Sequence, residues 1–182
     1  HTGSQPNKPL GTPVSGQGLR IAVCREPEAS ETSVALCLAR PAETDPDSVE
    51  KRVRLLRRTF VCQLLERRLS DYCRQPDAKI SQAEFLDRDV YDALRMTRAD
   101  AVCKNDRWQD AVAVLEQELR RACEYGFSQS ELALLRAKML NAADEAVRTA
   151  GSRKSPDLAA SIYQAAADGR VFTSPETNAS IL

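Results

Sequence analysis

The side chains able to supply a nucleophile, a base or a metal ligand are unevenly represented in this sequence. There is a single histidine, His1, against six cysteines: Cys24, Cys37, Cys62, Cys73, Cys103 and Cys123. A Ser-His-Asp arrangement has no internal base to work with, and a cysteine nucleophile lacks its usual partner. The cysteines form no Cys-x-x-Cys pair and have no histidine near them, which excludes the usual structural zinc knuckle. Most lie among apolar residues, as in Ile21-Ala22-Val23-Cys24 and Ala35-Leu36-Cys37-Leu38, and read as small buried hydrophobes. Cys24 and Cys37, on segments that read as paired strands, are the one pair to watch for a disulfide. No Gly-x-Gly-x-x-Gly or phosphate-loop pattern occurs. The many carboxylates have basic neighbours on helix flanks, where surface ion pairing is the expected role. No catalytic residue and no metal ligand is nominated, and the binding residues stay unassigned.

Charge narrows the partners. The 26 basic and 26 acidic side chains cancel, so no positive excess exists to collect nucleic acid or anionic lipid. Lys51, Arg52, Arg54, Arg57, Arg58, Arg67 and Arg68 concentrate on one segment and read as the solvated flank of a helix. No run of about 18 apolar residues is present, so nothing here inserts in a membrane as a helix. A start at His1-Thr2-Gly3-Ser4, without methionine, suggests a chain that begins inside a longer product or after processing.

The elements that must position these side chains follow from periodicity. Residues 1–18, with Pro6, Pro9, Gly11, Pro13, Gly16 and Gly18, read as a linker. Leu19-Arg20-Ile21-Ala22-Val23-Cys24 and Val34-Ala35-Leu36-Cys37-Leu38-Ala39 flank a polar stretch and predict two adjacent antiparallel strands. Asp47 with Glu50 predicts a capping box opening a long helix, whose stripe of Val49, Val53, Leu56, Phe60 and Leu64 should pack on a sheet. Gln75-Pro76-Asp77 ends it. Residues 79–101 predict two further strands, with Asp87-Arg88-Asp89 as a turn signal. A second helix opens with the Asp106 and Gln109 capping box, carries Trp108, Val112, Leu115 and Leu119 on one face, with Trp108 read as core, and stops at Gly126. Ser128 and Glu131 open a third helix with the stripe Leu132, Leu135, Met139, Ala143 and Val147. Ser155-Pro156 opens a fourth, ending at Gly169. Residues 171–182 show no clear period and are expected to be a loose, truncated tail.

The expected class is α+β: a mixed, mostly antiparallel sheet with helices packed on one face, in one domain over 19–170. Within that order stand more specific words. Leu64-Leu65-Glu66-Arg67-Arg68-Leu69, then Leu115-Glu116-Gln117-Glu118-Leu119-Arg120-Arg121, then Gly126-Phe127-Ser128-Gln129-Ser130-Glu131-Leu132 resemble the pitrilysin/insulinase family of zinc peptidases. There an Arg-Leu pair, a Glu-Leu-Arg helix and a Gly-Phe-Ser/Thr-x-x-Glu-Leu turn recur in this order. Arg153-Lys154-Ser155-Pro156-Asp157-Leu158-Ala159 is similar to the family's basic turn, serine and Leu-Ala helix.

The resemblance, spanning 19–169, implies the repeat of mitochondrial processing peptidase and its relatives, several of which enclose a chamber around unfolded peptides. It implies that the chain is a non-catalytic repeat, the second in order, with the last as the alternative. Family zinc sits on a His-x-x-Glu-His helix, which this sequence lacks; the resemblance therefore implies no cofactor here and zinc in the parent protein. The family's arginine and tyrosine that steady a peptide carbonyl are not assigned to Tyr72, Tyr91, Tyr125 or Tyr163. Implied partners are neighbouring repeats of the same polypeptide and unfolded peptide. Bacterial relatives imply a periplasmic or envelope setting, with the cytoplasm as the alternative. An interaction module of an inactive relative is the second functional expectation.

Overall fold

Period-two patterning over 80–103 resolves into a hairpin, and a third strand joins its inner member. In the computed structural model, which describes residues 18–43, 45–90, 93–104 and 107–182, the strands are β1 (Ser33–Pro41), β2 (Ile80–Val90) and β3 (Leu94–Cys103). Their order is β1-β3-β2 and both pairs are antiparallel. Alternation along β3 buries Arg95, Ala99, Ala101 and Cys103 while their neighbours stay half-exposed, so one face of the sheet is covered. The helices are α1 (Val49–Cys73), α2 (Trp108–Tyr125), α3 (Gln129–Arg148), α4 (Ser155–Ala167) and α5 (Pro175–Ala179). The α+β class expected from the sequence is the class that forms.

The chain divides into two compact units, each made of two stretches: 1–44 with 73–115, and 45–72 with 116–182. The first holds the sheet and the opening turns of α2. Its buried apolar residues are Ala78, Ile80, Phe85, Ala99, Ala101, Cys103, Ala111, Val114 and Leu115. The second holds α1 up to Tyr72, the rest of α2, and α3 to α5, with Leu64, Leu65, Leu69, Leu135 and Ala165 buried. Short helix α5 packs against α3 there.

Several local expectations are corrected. Residues 19–24 form no strand; among the described residues they make no backbone hydrogen bond, and a strand without a ladder partner has nothing to hold it. The cap of α1 is Ser48, whose hydroxyl accepts the Lys51 N–H at 3.2 Å and whose carbonyl accepts the Arg52 N–H at 3.0 Å. Asp47 is engaged elsewhere. Asp87-Arg88-Asp89 lies inside β2 because Asp87 and Asp89 are paired across the ladder; the chain turns after Val90, whose carbonyl accepts the Ala93 N–H. Trp108, the first residue of α2, is 51% exposed rather than core. Of the six cysteines only Cys103 is buried, and none forms a disulfide, Cys24 and Cys37 included. Cys37 points to the uncovered face of β1 opposite Arg98, and Cys24 lies outside any element.

The expected stops hold. Gly126 and Gly169 adopt φ of 66° and 62°, the left-handed geometry that ends a helix at little cost only for a residue without Cβ. Residues 171–182 are not a loose tail: Ser174 caps α5, and Val171 and Thr173 are hydrogen-bonded to α1 and its lead-in. The linker residues 1–17, Tyr91 and the Asp106 half of the second capping box lie outside the described residues.

Candidate functional site

Side chains with chemical potential converge at three places, each within one unit. The first is on the sheet. Arg95, 5% exposed, donates from Nε and Nη2 to Asp87 at 3.1 and 2.8 Å and from Nη1 to Asp89 at 3.2 Å. The Thr97 hydroxyl donates to Asp87 at 2.8 Å, and Arg40 on β1 donates to Thr97 at 3.3 Å. Register makes this network: Asp89 and Arg40 both face Arg95, and Asp87 faces Thr97. A buried guanidinium is tolerated because its donors meet carboxylate oxygens.

The second place is the junction of α2 and α3. Gly126 turns the chain, Ser128 caps α3, and Glu131 reaches back to accept the Ser128 N–H at 2.7 Å, completing the predicted capping box. The same carboxylate accepts Arg68 of α1 through Nε at 2.6 Å and Nη2 at 2.9 Å, while Nη2 also donates to the Gly126 carbonyl at 3.0 Å. The guanidinium lies 4.5 Å from the centroid of the Phe127 ring. The Arg68 hydrogen bonds and the Ser128 N–H hold the Glu131 carboxyl down at about 2, against the opposing pull of burial. Arg68 is therefore a structural clamp and not part of a solvated flank.

The third is a cleft of about 390 Å³ lined by α1, α4 and the 170–182 segment. At its edge Asp47 accepts Arg52 bidentately, with Nε to Oδ1 at 2.9 Å, and also accepts the Val171 N–H at 2.8 Å. Arg52 goes on to the Thr173 hydroxyl at 2.9 Å and the Val171 carbonyl at 2.7 Å. The Arg52 guanidinium, aided by the Val171 N–H, holds the Asp47 carboxyl well below the usual carboxylate range. Leu55, Leu56 and Ala165 supply apolar lining, and Lys51 adds a cation.

Asp47 and Glu131 are held ionised by arginines that do not release protons. Among the described residues no group of three or more His, Cys, Asp or Glu could hold a metal ion; on the sheet, Asp87 and Asp89 are both paired with Arg95. The donor set of the described residues does not fit a zinc site. No described helix is long and apolar enough to cross a membrane. What the arginines at these three places do is clamp neighbouring segments to one another. Sequence reasoning named Asp47, Arg52, Arg68, Asp87, Asp89, Ser128 and Glu131, but as caps, turns or surface charges; it missed Arg95 and the pairing of Arg52 with Asp47 and of Arg68 with Glu131.

Comparison with solved structures decides the fold. The first half of the periplasmic protease PqqL from Escherichia coli superposes with a TM-score of 0.75 at 20% identity, covering 85% of this chain and 33% of that one. This chain has the fold of insulinase-family proteases. The insulinase-type match recurs with the whole PqqL chain, again at 0.75 and 20%, covering 17% of it. A predicted insulinase family protease from Yersinia pestis matches at a TM-score of 0.71 and 15% identity, over 85% of this chain and 33% of that one. This chain thus spans about a third or less of each of these three chains. No protein-family model matches the sequence, and neither does any curated protein.

Proposed function

We propose that this chain is a non-catalytic, chamber-wall domain of a multidomain zinc metallopeptidase, holding unfolded peptide while a metal-binding repeat outside it cleaves. The observation that carries the reading is the lone histidine, His1, in a chain whose fold fills only a third of its structural counterparts. Two histidines on one helical face are the minimum for that family's zinc centre. Clamped carboxylates and a binding-sized cleft support a wall and not a reaction centre. Neighbouring repeats of the same polypeptide would be its standing partners, and its setting would be the periplasm, a reading supported by its likeness to the periplasmic protease PqqL.

The test is direct. After dialysis the purified chain should retain no stoichiometric zinc by elemental analysis and should leave a fluorogenic unstructured peptide intact. Added to a polypeptide carrying a His-x-x-Glu-His repeat of the same system, it should raise cleavage of that peptide. One tightly held zinc per chain overturns the reading. Peptide binding without any rise in cleavage would favour an interaction module of an inactive relative.

A further inference from the structure

Residues 19–24 are patterned as a strand and have no ladder. Leu19, Ile21 and Val23 are 88%, 80% and 75% exposed, alternate strictly, and sit in a segment that makes no backbone hydrogen bond among the described residues. The chain then reverses: the Ala29 N–H donates to the Glu26 carbonyl at 3.1 Å, closing a turn whose second position is Pro27, where a fixed φ suits it. It enters the sheet at Thr32, whose carbonyl accepts the Cys103 N–H at 2.8 Å, one residue before β1. A strand-patterned segment, a turn and a strand therefore follow one another in hairpin order.

The β1 edge suits that segment. Edge strands are normally blunted by charge or proline. The opposite edge, β2, carries Glu84, Asp87, Arg88 and Asp89, whereas β1 carries no charge from Ser33 through Ala39, and nothing pairs its outer side among the described residues. Thr32 bonds directly to the residue it faces on β3, so in this register Val34, Leu36 and Leu38 also turn their backbone groups to β3, and Ser33, Ala35 and Cys37 turn theirs outward. An antiparallel strand with Leu19 opposite Leu38, Ile21 opposite Leu36 and Val23 opposite Val34 sets Arg20, Ala22 and Cys24 opposite Cys37, Ala35 and Ser33, where the outward donors and acceptors are. The three apolar pairs then fall at the non-hydrogen-bonded positions, where facing side chains come closest. Leu38, 54% exposed, gains an apolar neighbour.

We propose that residues 19–24 are a strap that closes onto the β1 edge of its own chain in this register, as a fourth strand, and that the structure holds it open. Closed, the strap occupies the uncharged edge; open, it leaves that edge to strand addition. The connection 25–32, at about 3.3 Å per residue when extended, lets the strap swing clear of the sheet and return. So short a tether makes closure intramolecular, with an effective concentration of about millimolar, which favours the chain's own edge over that of another copy. The register also keeps Cys24 away from Cys37: Cys24 falls opposite Ser33, about 13 Å along β1 from Cys37, so closure involves no disulfide. Neither the zinc assay nor the cleavage assay reads this edge, so the strap and the peptidase reading fail separately.

The experiment is amide hydrogen exchange followed by NMR on the full chain at two concentrations, for wild type and for Ala22→Pro, which removes the N–H that faces Ala35. The Ala35 and Cys37 amides should exchange about tenfold slower in wild type than in Ala22→Pro, equally at both concentrations, with the amides between β2 and β3 unchanged. Equal rates in the two proteins overturn the strap. Protection that grows with concentration overturns it too, by putting a second copy on the edge. Register is read separately: Arg20→Cys places a thiol opposite Cys37 at a cross-strand separation that a disulfide spans, and mild oxidation of dilute protein should join the two within one chain. A bond from the new thiol to another cysteine in preference to Cys37 overturns the register.

Discussion

Arg95 and Glu131 are where single side chains do most. Arg95 neutralises Asp87, itself only 7% exposed at its side chain, so Arg95→Ala leaves a buried carboxylate uncompensated. The expected cost is about 3–5 kcal/mol, read from the urea midpoint, and Asp87→Asn added to Arg95→Ala should recover part of it. Glu131 makes stability depend on pH in a known direction. Its folded carboxyl is held at about 2 against an ordinary 4.5. A depressed carboxylate stabilises the fold above its unfolded value, and that contribution drains away as pH falls through the folded one. The gap in urea midpoint between wild type and Glu131→Gln, worth about 2–3 kcal/mol at neutral pH from the lost charge-assisted bonds and cap, should hold to about pH 5 and narrow below it. A gap that stays constant down to about pH 3 would show that Arg68 and Ser128 do not hold the ionised form.

Among the elements, α1 shows how far a local signal reaches. The Asp47-x-x-Glu50 spacing reads as a capping box, yet Ser48 caps the helix while Asp47 ties Arg52 to the segment after α4. That tie orders 171–182, which has no period of its own and so reads as loose. Asp47→Asn keeps the shape but weakens two charge-assisted bonds to Arg52, and the Val171 amide should exchange about ten- to a hundredfold faster, with helix content nearly unchanged. Equal protection in the variant would mean that α5 and its contact with α3 hold the segment alone. The α2–α3 junction went the other way: Gly126, Ser128 and Glu131 were legible because glycine geometry and capping act within a few residues. The stretch 19–24 was misread for the complementary reason. Alternation marks a strand's faces but says nothing about whether an edge is there to pair with it.

For the whole molecule, the order and type of elements from 33 to 169, the α+β class and the insulinase-type likeness were all readable from periodicity, caps and an ordered set of short words. The lack of a histidine pair was readable by counting. These are local or compositional properties, fixed by neighbours along the chain. Tertiary structure alone decided which arginines leave the solvated flank to become clamps, that Arg95 is buried, that five of the six cysteines are not, and that an uncharged sheet edge and an unpaired strand-patterned segment coexist. Each of those depends on groups brought together from distant stretches, as with Arg68 and Glu131 or Arg52 and Thr173, and burial is set by what the fold lays over a residue and not by the residue's own type.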